Sequence, residues 1–230
     1  MRNLRDYQKV RALAGWLLRN RRWLQRPGRW HARRLLHLGC GPNIFPDFVN
    51  LDFRWVPGVN VVWDLGRPLP FPAGRFEGIF TEHCLEHFTL GDLDRVLREL
   101  RRILAPGGRL RIVVPSLEKH ARAYLAAIGN ASPDRAAEPA ALINRVFYAG
   151  HNNMAQSHWF NDGHHYMHDF HSLRASLEQA GFAAVGAKDF NQGDDPRLLV
   201  DREDRAWESL YVEAVNPAAA VPDPAPATPA

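Results

Sequence analysis

Short apolar runs alternate with one long amphipathic stretch along the first half of this chain. The runs are rich in Leu, Val, Phe and Ile and are bounded by Gly, Pro, Asn or Asp, which is typical of buried strands. We place four strands in this part of the chain, at 34–38, 48–51, 59–63 and 76–81.

The amphipathic stretch predicts a helix between residues 89 and 105. Its apolar residues recur at helical spacing: Leu93, Val96, Leu97, Leu100, Ile103 and Leu104. Thr89 with Asp92 forms a capping signal at its start, and Pro106-Gly107-Gly108 ends it.

Further runs predict strands at 110–114, near 182–188 and at 209–215, and a helix at about 170–180 that ends at Gly181. This alternation of strands and helices predicts a seven-stranded, mostly parallel α/β sheet with helices on both faces.

A glycine turn, Gly39-Cys40-Gly41, follows the first predicted strand directly. Two acids, Asp52 and Asp64, end the next two strands, at the edge where ligands bind in parallel sheets. A carboxylate at Asp52 can accept hydrogen bonds from a ribose diol, and Asp64 can accept from an adenine amino group. The pattern predicts an adenosine-type cofactor at this turn.

A dinucleotide is disfavoured by two departures from its fingerprint. The third glycine position holds Ile44, and Asp52 lies 13 residues after Gly39 instead of about 20 beyond the strand.

Four segments resemble the class I S-adenosylmethionine-dependent methyltransferases: LLHLGCGPN (35–43), FVNLDF (48–53), WDLGRPLPFPAGRFEGIFTEHCLEHF (63–88) and LRELRRILAPGGRLRIVVPS (97–116). They are most similar to a small bacterial subgroup with asparagine-leucine-aspartate and leucine-glutamate-histidine motifs. The resemblance implies a Rossmann-like three-layer α/β/α fold, S-adenosylmethionine as cofactor, and methyl transfer to an acceptor.

The resemblance also assigns cofactor contacts along these motifs. Gly39 and Gly41 would approach the methionine part, Asp52 the ribose, and Asp64 with Leu65 the adenine, while the segment from Thr81 would line the site beside the methyl group. The expected cofactor-binding residues are Gly39, Cys40, Gly41, Asp52, Asp64, Leu65 and Glu82.

Two features depart from the resembled pattern. Many relatives carry an acid two residues before the first glycine, where this chain has His37. The segment 42–47 is too short for a full first helix, so the first crossover must be abbreviated.

The segment after the fourth strand contains His83 and His87, which we take as candidate catalytic residues for orienting the acceptor or removing a proton. A structural role for Glu86 and His87 is the alternative. His83 to His87 also matches the H-x-x-E-H pattern of zinc peptidases, but the segment leaves a strand directly, and we predict no metal.

Six histidines fall between residues 151 and 171: His151, His158, His164, His165, His168 and His171. A substrate lid, a metal site and a solvated loop all fit this segment. The spacing of the six histidines follows no standard metal site.

Charge is concentrated at the N-terminus, where residues 1–34 hold eleven Lys or Arg and one acid. We divide the chain into a basic helical segment (1–32), a methyltransferase domain (33–216) with a helical or loop insertion at about 117–169, and a disordered tail (217–230). The basic segment either packs on the domain or makes peripheral membrane contact.

Two cysteines and no long apolar run predict a cytoplasmic protein.

The sequence therefore predicts a methyltransferase that acts on a small-molecule, glycan or lipid acceptor. The basic residues lie outside the predicted site, which disfavours a nucleic acid partner. The alternatives are a cofactor-binding module without catalysis, an aminopropyl transferase, and a zinc hydrolase using His83 and His87.

Overall fold

The computed structural model describes residues 13–15, 17–21, 29–129 and 164–218. Seven strands form one sheet: β1 (Leu35–Leu38), β2 (Phe48–Asp52), β3 (Val61–Val62), β4 (Phe76–Glu82), β5 (Leu104–Pro115), β6 (Ala183–Lys188) and β7 (Ser209–Val215). The strand order is β3-β2-β1-β4-β5-β7-β6, and only the pairs made by β7 are antiparallel. The predicted seven-stranded, mostly parallel sheet with flanking helices is confirmed.

The described residues include the α-helices α1 (Leu90–Ile103), α2 (Leu117–Gly129) and α3 (Phe170–Gln179), and residues 13–15 and 17–18 are also helical. The hydroxyl oxygen of Thr89 accepts from the Asp92 backbone N–H, which caps α1 as predicted. Asp169 and Ser172 form a reciprocal capping box at the start of α3. The apolar stripe of α1 is buried against the sheet, and α3 packs beside it over β6.

The second face of the sheet is covered differently from the expected helical layer. Side chains of Leu35, Phe80, Val113 and Tyr211 form its apolar cluster. Leu198, in the short 3-10 turn Pro196–Leu198, packs on this cluster. Within the described ranges, turns and loops thus cover this face of the sheet, whereas helices cover the other face.

A buried ion cluster fastens that covering loop to the sheet. Arg111 of β5 is fully buried, and it donates to the carboxylates of Asp201 and Glu213 and to backbone carbonyls of the loop. Opposite charges and backbone acceptors together compensate the cost of burying the guanidinium.

The crossover from β1 to β2 contains no helix, as predicted. Phe45 provides the packing that a helix would otherwise make here. Its ring stacks on His37 with 4.7 Å between centroids. Asn50 of β2 holds this loop from beneath: its side chain accepts from the Phe45 N–H at 3.1 Å and donates to the Phe45 carbonyl at 2.8 Å.

Several predictions lie outside the described residues. These are most of the insertion (130–163) with His151 and His158, and all but the first two residues of the tail predicted at 217–230. No helix among the described residues is long and apolar enough to cross a membrane.

Candidate functional site

The glycine turn lies at the carboxyl end of β1, between the ends of β2 and β4. Gly39 and Gly41 both have positive φ values, of 67° and 51°. The Cys40 N–H donates to the Leu51 carbonyl at 3.1 Å, which ties the turn to β2. A Cβ added at Gly39 would overlap the sulfur of Cys84, whereas one added at Gly41 would meet no atom within 4 Å. The turn is therefore close-packed on one side and faces open space on the other.

Asp52 is the residue that fixes the turn against β2. Its Oδ2 accepts from the Gly41 N–H at 2.7 Å, and its Oδ1 accepts from the Arg54 N–H at 2.7 Å. Burial raises the pKa of Asp52, and the backbone hydrogen bonds oppose that rise. Each carboxylate oxygen can accept one further hydrogen bond, so Asp52 can hold the turn and a ligand hydroxyl together.

The two cysteines near the turn are not activated thiols. Cys40 is buried, and burial together with the charge of Asp52 raises its pKa. Burial also raises the pKa of Cys84, with Glu86 adding to the effect. Both thiols stay protonated near neutral pH, which favours a packing role over nucleophilic chemistry.

Asp64 and Leu65 follow β3 at the same edge. The Asp64 carboxylate accepts from the Gly66 N–H at 2.9 Å, which forms a tight local turn. Leu65 is half-buried against the core. The predicted adenine end of the site is thus next to the predicted ribose end, one strand further out in the sheet.

Part of the basic N-terminal segment reaches this edge. Asn20 donates its N–H to the Val62 carbonyl at 3.2 Å and accepts from the Asp64 N–H through its side chain at 2.9 Å. The Arg19 guanidinium lies 3.6 Å from the centroid of the Phe53 ring. Residues 17–21, which the sequence predicted as part of a separate segment, therefore pack on the domain beside the end of β3.

Glu82 points away from the glycine turn. It shares the second face of the sheet with Phe80, because alternate residues of a strand point the same way. Its Oε1 accepts from the Arg202 N–H at 3.0 Å, and burial raises its pKa. In this arrangement Glu82 fastens the loop before β7, and this geometry does not bring it to the turn with Asp52.

His83 has a positive φ of 49° and begins the segment after β4. Its Nε2 lies 3.0 Å from the Ser209 hydroxyl, and its Nδ1 lies 3.5 Å from Oε1 of Glu86. Burial is the main reason that the pKa of His83 falls to about 3, so the ring is neutral at neutral pH.

Glu86 is fully buried, and burial raises its pKa to about 8. Neither carboxylate oxygen has a hydrogen-bond partner within the described part of the chain. His164 Nε2 lies 3.7 Å from its Oε1, and the rings of His87 and His164 meet edge-on with 5.0 Å between centroids. The structure thus brings His164 and His165 of the histidine-rich segment to the leucine-glutamate-histidine motif.

Comparison with known protein families matches most of this sequence to one family. The family described as a methyltransferase domain matches residues 4–186, which is well over half of the chain. The chain belongs to this methyltransferase family. It therefore carries an S-adenosylmethionine-dependent methyltransferase domain, and the fold and cofactor predictions are confirmed at that level.

Curated relatives match a shorter part of the methyltransferase chain. The ubiquinone/menaquinone biosynthesis C-methyltransferase UbiE of Vibrio cholerae is 38% identical over 72 residues, which is 30% of this chain and 27% of that protein. The match therefore spans about a quarter of the relative's own length.

Solved structures also align with the methyltransferase chain. An S-adenosylmethionine-dependent methyltransferase from Mesorhizobium loti aligns with a TM-score of 0.48 and 20% identity over 84% of this chain and 94% of that chain. The CMeT domain of the citrinin polyketide synthase aligns with a TM-score of 0.49 and 13% identity over 84% of this chain and 48% of that chain.

Several residues of the candidate site could not be predicted from the sequence. Nothing in the sequence indicates the contacts of Asn20, because a single asparagine in a basic segment matches no motif. Cys84 lies against Gly39 although it is distant in the chain. Glu86 and His164 belong to segments that were singled out, but nothing in their spacing indicated that they meet.

Proposed function

We propose that the protein transfers a methyl group from S-adenosylmethionine to a small-molecule or glycan acceptor, and that the glycine turn and Asp52 hold the cofactor. The observation that carries the proposal is the pair of hydrogen bonds from Gly41 and Arg54 to Asp52, beside a turn that faces open space. Glycines let a ligand approach the backbone there, and the carboxylate keeps lone pairs for a ribose diol.

The cofactor supplies an electrophilic methyl group on its sulfonium centre. The chain's own residues then have to bind and orient the two reactants, and positioning of this kind contributes much of the rate enhancement in such transfers. We assign Gly39, Cys40 and Gly41 to the methionine end, Asp52 to the ribose, and Asp64 with Leu65 to the adenine. Glu82 is left as a support for the loop at Arg202.

The acceptor side lies at the carboxyl ends of β4 and β5. Polar side chains lie near these strand ends: His83, Ser116, His120 and Ser209, of which the last three are buried. Polar groups near these strand ends support a hydroxyl-bearing acceptor of small-molecule or glycan type over a purely apolar one. We assign His83 to orienting that acceptor and give His87 a role in the same region.

Two further predictions stay proposals. We propose a cytoplasmic location, supported by two free thiols, Cys40 and Cys84. Peripheral membrane contact through residues 1–34 is supported only by their charge, and Arg19 of that segment is already directed towards Phe53.

Calorimetric titration with S-adenosylhomocysteine tests the cofactor assignment. Asp52→Asn leaves one of two backbone N–H groups without its acceptor and removes a ribose acceptor, so we expect binding about ten- to a hundredfold weaker. Asp94→Asn is the matched control, because Asp94 is partly exposed on α1 and pairs with Arg98. Equal binding by wild type and Asp52→Asn, or no binding by wild type, would contradict the assignment.

Incubation with methyl-labelled S-adenosylmethionine and fractions of small polar metabolites and glycan precursors tests the transfer itself. We expect label in at least one fraction from wild type, and about ten- to a hundredfold less label from Asp52→Asn at subsaturating cofactor. Cofactor binding without label in any fraction would point to a binding module instead of an enzyme.

A further inference from the structure

We propose that Glu86, His87 and His164 form a binding site for a divalent transition-metal ion beside the methyl-transfer site. Each side chain offers one ligand atom, and the three atoms all lie within 4.8 Å of one another. The set combines a carboxylate with two imidazoles, which are ligands typical of zinc and related ions.

The spacing of these atoms is close to what a metal ion requires. Tetrahedral coordination with bonds of about 2.0–2.1 Å places ligand atoms about 3.4 Å apart. Glu86 Oε1 and His164 Nε2 are 3.7 Å apart, so small side-chain rotations suffice for this pair. Three protein ligands leave a fourth position open, which is the arrangement found in catalytic zinc sites.

The state of the Glu86 carboxylate is an independent sign of a missing partner. The side chain is fully buried, and both of its oxygens lack a hydrogen-bond partner among the described residues. A buried polar group without a partner is costly, and such groups in proteins call for an explanation such as an ion. A cation bound by Glu86 supplies the missing charge and the missing contact together.

The site is held in place by contacts that do not need a metal. The backbone N–H groups of His165 and Tyr166 both donate to the Glu86 carbonyl, at 2.8 and 3.2 Å. The Leu117 N–H donates to the His168 carbonyl at 2.9 Å, which fixes the same segment four residues later. These bonds join two parts of the chain that are distant in sequence, so the ligands are brought together in advance.

His83 lies beside Oε1 of Glu86, the same carboxylate oxygen that is near His164. It stands between Ser209 and Glu86, with its Nδ1 3.5 Å from the carboxylate. Groups that contact a ligand from outside the coordination sphere commonly orient it. We therefore treat His83 as a positioning residue for Glu86 and not as a ligand, in addition to the role at the acceptor proposed above.

Metal binding can be tested without knowledge of the acceptor. We use full-length protein without an affinity tag, stripped with a chelator and then titrated with Zn²⁺ in a calorimeter. We expect one Zn²⁺ per chain, with at least tenfold weaker binding by Glu86→Gln and by His164→Ala. His171→Ala is the matched control, because His171 is exposed on α3 in the same histidine-rich segment, and it should bind like wild type.

Two additional measurements keep the test decisive. Co²⁺ in place of Zn²⁺ should give the visible absorption of a low-symmetry nitrogen and oxygen site in wild type, and lose it in His164→Ala. Zn²⁺ should raise the Tm of wild type but not of Glu86→Gln. If Glu86→Gln fails to fold, the comparison of His164→Ala with His171→Ala decides the question.

The proposal is overturned if wild type binds no Zn²⁺, or if Glu86→Gln and His164→Ala bind it as tightly as wild type does. A role for the open coordination position in holding an acceptor oxygen rests on the function proposed above. Titration of each variant with S-adenosylhomocysteine separates the two ideas, because we expect Glu86→Gln to retain the cofactor while it loses the metal.

Discussion

Gly39 and Gly41 have similar backbones and very different surroundings. Both φ values are positive, which costs an alanine about 1–2 kcal/mol at either position. Only at Gly39 does an added methyl group also collide with Cys84. The two glycines therefore separate the effect of backbone strain from the effect of close packing.

We expect Gly39→Ala to lower the free energy of unfolding by about 2–5 kcal/mol, because overpacking adds to backbone strain. Gly41→Ala should cost only about 1–2 kcal/mol, since the space beside it is open. Urea unfolding of both variants measures the difference. Equal losses in the two variants would show that Cys84 moves aside freely and that close packing at Gly39 is unimportant.

At the scale of elements, the first crossover depends on one side chain. Asn50 is buried and bonds both the N–H and the carbonyl of Phe45, so it replaces the hydrogen bonds that a helix would have made within itself. Asn60 in turn accepts from the Asn50 N–H at 2.8 Å. This arrangement gives the asparagine of the asparagine-leucine-aspartate motif a physical role.

Asn50→Leu should lower the free energy of unfolding by about 2–4 kcal/mol, because it leaves two backbone groups of Phe45 without partners in a partly buried loop. Thr89→Ala is the comparison, since it removes a single cap of α1 and should cost about 1 kcal/mol. Chemical denaturation gives both values. The role of Asn50 is refuted if its variant is no less stable than the cap variant.

Elements with a periodic pattern were predictable, and elements held by single contacts were not. Local sequence patterns predict the apolar stripe and the cap of α1, and they predict the alternating strands. The sheet could therefore be derived from the sequence. The strand predicted at 59–63 is reduced to Val61–Val62 because β3 is an edge strand with one short pairing. The Asn50 contacts have no period, and the loop over the second face depends on Arg111, which lies within an apolar strand.

On the scale of the whole molecule, the candidate site is assembled from distant segments. The glycine turn and its acids could be placed from sequence because successive parallel strands end at one edge. The meeting of Glu86 with His164 could not, since it depends on how the segment before α3 returns to the end of β4. Tertiary contacts of this kind leave no trace in local spacing.

Buried neutral histidines make the stability of the molecule depend on pH. His37 lies beneath Phe45, and its Nδ1 has no hydrogen-bond partner within the described ranges. Burial lowers the pKa of His37 to about 4, and it lowers that of His168 to about 4 as well. Between about pH 6.5 and pH 4, the unfolded chain therefore binds protons that the folded chain does not bind. The free energy of unfolding falls as the pH falls through this range.

For His37 alone the loss between pH 7 and pH 4 amounts to about 3 kcal/mol. His37→Phe keeps an aromatic ring against Phe45 and removes the titrating group, so the free energy of unfolding should decline less steeply with acid than in wild type. His168 retains part of the slope in that variant, whereas His171→Phe, at an exposed position, should decline as wild type does. Urea unfolding at a series of pH values measures the three slopes. Parallel curves for wild type and His37→Phe would mean that His37 is protonated without cost in the folded protein, and that water reaches the space beneath the abbreviated crossover.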